Sequence, residues 1–188
     1  KSSGMTVCTG TGSTSWHYNI NRLTEQTVGD IINIMGNMGF KSNDEINDKE
    51  VTLIGDSAGG NLAAALSLLA RDRKEFKVDK QILIYPSTYN DYTENSPFKS
   101  VIENGTDYLL TSKRIRDYMD LYKTKEDDIY SPYFAPLLSR DFTKQPKTLI
   151  ITAEYDPLRD EGEEYGRKLR DAGNNVEIYR IKDALHGF

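Results

Sequence analysis

Residues Gly55-Asp56-Ser57-Ala58-Gly59 fit the pattern G-x-S-x-G, with the apolar run Val51-Thr52-Leu53-Ile54 directly before it and a small-residue run directly after it. A serine held on such a strand-to-helix turn is a candidate nucleophile. The turn is so sharp that the residues two before and two after the serine must lack side chains, or strand and helix would collide. Gly60 extends that clearance. The same turn aims the Ser57 hydroxyl at the positive end of the following helix, and it leaves the Ala58 N–H to donate to a carbonyl oxygen that is becoming an oxyanion. The alternatives are a glycine-rich turn without chemistry and a phosphate-binding loop. A phosphate loop needs Lys and Ser/Thr after its last glycine, and Asn61-Leu62 stand there instead.

A serine hydroxyl is a weak nucleophile near neutral pH, so a base must take its proton and a carboxylate must hold the base's tautomer and stabilise its cation. The chain offers two histidines. His186 follows the last apolar run within Leu-His-Gly, where a base would reach the C-terminal edge of a sheet. His17, beside Trp16, precedes the nucleophile in a stretch without clear periodicity and reads as structural. Asp156, within Tyr155-Asp156-Pro157-Leu158, also follows an apolar run. Ser57, Asp156 and His186 would then be nucleophile, orienter and base. Asp160 and Glu161 lie a turn further on and read as solvated helix-start residues complementing the dipole. Asp56 is the other competing carboxylate, but its place next to Ser57 points it elsewhere on the turn.

These residues need a sheet to bring them together. Val51 to Ile54, Gln81 to Tyr85, Thr148 to Ala153 and Val176 to Ile181 read as buried strands, the second stopped by Pro86. Met5 to Thr9 reads as a short strand before turn material. Helices are expected from Glu25 to Met38, where Val28, Ile31, Ile32, Met35 and Met38 form a stripe, from Ala58 to Arg71, and from Arg159 to Ala172, ended by Gly173. Strands alternating with helices imply an α/β fold, a mostly parallel sheet with helices on both faces. Residues 87 to 145 break the alternation, with one expected helix from Ser112 to Lys123, and read as an excursion above the sheet. Eight of the 12 tyrosines lie between Tyr85 and Tyr133. They could line a substrate cleft, but the plainer reading is preferred: tyrosine suits a thin, half-exposed layer.

Composition narrows the function classes. The 188 residues suit one domain, and the hydrophobic 37% with 14 glycines is enough to bury a core. The longest apolar run, Leu62 to Ala70, is broken by Ser67, so no membrane span is expected. With 24 Lys+Arg against 29 Asp+Glu and no basic block, nucleic acid is a poor partner. The single cysteine, Cys8, favours a reducing, cytoplasmic compartment and reads as a half-buried apolar residue. No cluster has metal-ligand spacing. Asn104-Gly105-Thr106 fits the N-glycosylation pattern, a triplet that chance often supplies.

Gly55-Asp56-Ser57-Ala58-Gly59-Gly60-Asn61-Leu62-Ala63, Asp156-Pro157-Leu158-Arg159-Asp160-Glu161-Gly162 and His186-Gly187-Phe188 together resemble the hormone-sensitive-lipase group of esterases within the α/β-hydrolase fold. The resemblance covers about Glu25 to Phe188. It implies hydrolysis of short or medium acyl esters through an acyl-enzyme, with a small-molecule ester as substrate and no metal or organic cofactor. It also implies Ser57, Asp156 and His186 as the triad and 87 to 145 as a cap-like excursion on a single domain. A different class remains open, a non-catalytic ligand-binding or interaction protein on a hydrolase scaffold, though such proteins usually lose the base. The departures matter too. The family's H-G-G-G loop is absent; its nearest substitute is Thr9-Gly10-Thr11-Gly12, and a plain flexible loop is the alternative. Only 50 residues precede Val51 and the chain stops two residues after His186, so a piece truncated at both ends is expected. Its first strands would be missing or shortened, leaving Val51 to Ile54 with an unpaired apolar edge.

Overall fold

A computed structural model describes residues 5–7, 51–74 and 76–188. Among the described residues nine helices and strands follow one another: β1 Met5–Val7, β2 Val51–Asp56, α1 Ala58–Arg73, β3 Lys80–Ile84, α2 Lys99–Glu103, α3 Ser112–Tyr122, β4 Lys147–Tyr155, α4 Arg159–Asp171 and β5 Val176–Leu185. Two short 3-10 turns, Glu126–Tyr130 and Pro136–Leu138, lie between α3 and β4. The expected helix from Glu25 to Met38, Cys8, His17 and the Thr9 to Gly12 loop lie outside the described residues.

The β-branched and leucine-rich runs form a five-stranded sheet in the order β1-β2-β3-β4-β5, every neighbouring pair parallel. This is the mostly parallel α/β sheet that the alternation of elements predicts. One expectation is corrected. Met5, Thr6 and Val7 pair with Val51, Thr52 and Leu53, so the first half of β2 has a neighbour where an unpaired edge was anticipated. Alternate strand residues share one core with the helices: Val51, Leu53, Leu83, Ile150 and Val176 from the sheet, Ala63, Ala64, Leu66 and Ala70 from α1, and Tyr165 and Leu169 from α4. The small side chains of α1 let it lie close on β2 and β3 and bury most of its length. Among the described residues, no helix is long and apolar enough to cross a membrane.

The excursion has a small core of its own. Tyr92, Val101 from α2 and Ile115 from α3 pack with Leu158, which belongs to the loop after β4. That shared leucine ties the excursion to the edge where the strands end. The short α2 escaped sequence reading because five residues are too few to display a helical period.

Candidate active site

In a parallel sheet all strands end on one side, and a crevice forms outside those carboxyl ends. Ser57 follows β2, Asp156 follows β4 and His186 follows β5. Ser57 sits at φ 53, ψ −117, a conformation most L-residues avoid, and its backbone over-determines it. Its N–H donates to Ile84 O at 2.8 Å, while its carbonyl accepts from Asn61 N–H at 3.1 Å and Ser87 N–H at 3.3 Å. A Cβ on Gly55 would stand 2.1 Å from Gly59 O, and one on Gly60 would stand 2.8 Å from Pro86 Cβ. Both glycines are therefore required by close approach. Ala58 opens α1, so its N–H has no acceptor within the helix.

Ser57 Oγ lies 2.9 Å from His186 Nε2, and His186 Nδ1 lies 2.7 Å from Asp156 Oδ2. Asp156 is fully buried, and its second oxygen accepts Leu158 N–H at 2.9 Å. A carboxylate with both oxygens occupied is fixed in place, so it can hold an imidazole with Nδ1 protonated and Nε2 facing the serine. A β-bulge aims the histidine. Between the pairs Ala153–Ile181 and Tyr155–Leu185, Glu154 alone faces Lys182, Asp183 and Ala184. Asp183 takes φ 55, and its N–H donates to Glu154 Oε2 at 2.8 Å. The extra residues bend the end of β5 and swing His186 over the edge. The imidazole packs against Tyr85, ring centroids 4.7 Å apart and planes tilted by 55°, and Tyr85 itself sits at φ 35. Such an arrangement can move a proton from a serine to an imidazole and stabilise the resulting cation.

The excursion grips the Asp156 loop, which sequence reading missed. Ser100 Oγ donates to Pro157 O at 2.8 Å, and Ser100 N–H donates to Asp160 Oδ2 at 2.8 Å. Asn104, the residue of the glycosylation pattern, is 4% exposed and donates through Nδ2 to Glu154 O at 3.4 Å and Asp156 O at 3.3 Å. Both carbonyls also receive Arg159, at 2.9 Å from its guanidinium and 3.1 Å from its N–H, so neither is orphaned if Asn104 is lost. Asn104→Ala should therefore cost only about 1 kcal/mol of stability, measured by urea denaturation, and Asn104 should stay unmodified in a glycosylating host. A glycan on Asn104 of folded protein would contradict this placement.

Asp160 and Glu161 are corrected as well. Asp160 is held by Ser100 and by Arg159 at 2.8 Å, and Glu161 is fully buried; neither is a solvated helix-start residue. The tyrosines divide: Tyr85 reaches His186, Tyr92 fills the excursion's core, and Tyr130 is 68% exposed. Among the described residues no group of three or more His, Cys, Asp or Glu is placed to hold a metal ion.

The family model described as alpha/beta hydrolase fold matches residues 20–188. The chain belongs to the alpha/beta hydrolase family. It is 38% identical over 144 residues to an arylesterase of Saccharolobus solfataricus, a match covering 76% of this chain and 45% of that protein. To an ethyl acetate hydrolase of Pseudomonas putida it is 33% identical, covering 76% of this chain and 44% of the relative. Among solved structures, a hyperthermophilic esterase from the archaeon Pyrobaculum calidifontis superimposes with a TM-score of 0.67 at 41% identity, covering 73% of this chain and 45% of that one. This alpha/beta hydrolase chain thus aligns with less than half the length of each of these relatives.

Proposed function

We propose that this chain contributes the catalytic centre of a serine carboxylesterase acting on short-chain esters. The observation that carries the reading is the unbroken relay from Ser57 Oγ through His186 to Asp156, at 2.9 and 2.7 Å. Ser57 Oγ attacks the ester carbonyl while His186 Nε2 takes the hydroxyl proton. Asp156 holds the Nδ1–H and stabilises the imidazolium. The tetrahedral oxyanion accepts from Ala58 N–H at the positive end of α1. On collapse the C–O bond to the alcohol breaks, His186 returns the proton to the leaving oxygen, and the acyl group stays on Ser57. Water, deprotonated by His186, then attacks the acyl-enzyme; acid is released and Ser57 recovers its proton. The relatives' names, arylesterase and ethyl acetate hydrolase, support small esters as substrates.

Within this reading the chain is a single domain, and residues 87–145 act as a cap whose α2 end steadies the Asp156 loop and whose remaining surface walls the acyl site. An excursion so polar and tyrosine-rich suits short tails better than long ones. A series of p-nitrophenyl esters from acetyl to palmitoyl should give the highest kcat/KM among the short acyl groups, unchanged by a chelator. A rate rising steadily toward palmitoyl, or one abolished by the chelator, would contradict the proposal.

A further inference from the structure

Glu161, in the first turn of α4, is fully buried, and no step above uses it. Its Oε1 accepts from three donors on the chain leaving β3: Thr88 N–H at 2.6 Å, Tyr89 N–H at 3.1 Å and the Tyr92 hydroxyl at 2.8 Å. Its Oε2 is buried with no partner, and so is Thr88 Oγ1. The Tyr92 hydroxyl also lies 3.0 Å from Ser87 Oγ. Ser87 touches the nucleophile turn directly, its N–H donating to Ser57 O at 3.3 Å and its carbonyl accepting Asn61 Nδ2 at 2.9 Å. A continuous hydrogen-bonded path therefore runs from the Glu161 carboxyl through residues 87–92 to the backbone of Ser57.

We propose that Glu161 is a positioning residue for the nucleophile, its buried carboxyl anchoring the 87–92 turn and, through Ser87, fixing the backbone of Ser57 against His186. This rests on the esterase reading above. Three donors converge on Oε1 and none reaches Oε2, so ionisation would leave the charge on Oε2 buried and unpaired. Burial pushes the carboxyl up to about 8, outweighing the opposing hydrogen bonds from Thr88, Tyr92 and Tyr89. The titratable groups facing it are Tyr92 from the turn and Asp156 from the loop after β4; the Asp156 charge adds to the upward push. Ionised, Glu161 would present an unpaired anionic oxygen beside Asp156, and the turn must open to admit water. The folded group titrates above the ordinary 4.5, so its contribution to stability is complete below that value and is lost as pH rises to about 8.

The test compares wild type, Glu161→Gln and Glu161→Ala in the full chain, with p-nitrophenyl acetate as substrate from pH 5 to 9. Wild type should lose kcat in a step near pH 8, with KM nearly constant. Glu161→Gln, which keeps the accepting oxygen and cannot ionise, should retain kcat within about threefold of wild type at pH 6 and lack that step. Glu161→Ala should lower kcat at least tenfold on the acid side of that step, with KM within about twofold. Identical pH profiles for wild type and Glu161→Gln would overturn the proposal, and that comparison decides even if Glu161→Ala does not fold. A wild-type chain that neither turns over nor is labelled by an organophosphate would defeat the esterase reading instead. Amide-exchange protection at Thr88 and Tyr89 then decides for Glu161: it should fall above pH 8 in wild type and hold in Glu161→Gln, and equal behaviour in both would refute the role.

Discussion

Ser57→Ala should abolish ester cleavage, lowering turnover on the order of a million-fold, the scale on which serine hydrolases lose activity when nucleophile or base is removed. At about 1.4 kcal/mol per factor of ten, that is roughly 8 kcal/mol of transition-state stabilisation. The fold should survive. The turn is held by backbone bonds from Ser57 to Ile84, Asn61 and Ser87 and by the clearance at Gly55 and Gly60, none of which uses the hydroxyl. The substitution removes one oxygen, whose bond is to His186 Nε2. Circular dichroism and urea midpoint should be close to wild type, while covalent labelling by an organophosphate disappears. Labelling that persists in the alanine variant would show that another residue is the nucleophile.

Asp156→Asn should cost about ten-thousandfold in turnover with little change in KM. An amide at this position can donate to Nδ1 and so favours the tautomer with the proton on Nε2, which leaves the imidazole unable to accept from Ser57. Geometry need not change, because the Leu158 N–H that binds Oδ1 at 2.9 Å can still reach the amide oxygen. The loss should appear in the pre-steady-state burst, since acylation itself slows. Asp156→Asn acting within tenfold of wild type would mean that His186 draws its orientation from elsewhere, and the carboxylate assignment would fall.

The elements were legible where local pattern suffices. The runs at Val51, Gln81, Thr148 and Val176 all became parallel strands, and the turn at Ser57 has the strained backbone its glycines imply. Element ends were less legible. β5 runs on to Leu185 because two extra residues bulge out after Ile181, a register shift that periodicity breaks off at and cannot follow. The short α2 was missed for the same kind of reason, and with it the clamp that Ser100 and Asn104 place on the Asp156 loop.

Five contiguous residues and their glycines determine by themselves that a serine is presented at a strand's end, because steric clearance and helix polarity act within one turn of chain. The alternation of apolar runs with helices likewise determines a parallel sheet whose strand ends share an edge. Which groups meet at that edge is a tertiary decision. Ser57 and His186 are 129 positions apart, and their 2.9 Å contact depends on the bulge in β5 and the placement of β3 and β4 between them. The same holds for Glu161. In sequence it is an acid in a helix's first turn, a position that ordinarily faces water; packing of the excursion over α4 removes the water and converts it into a buried acceptor for three donors. Burial depends on what the rest of the chain lays over a residue, and nothing in the residue's own neighbourhood along the sequence encodes that.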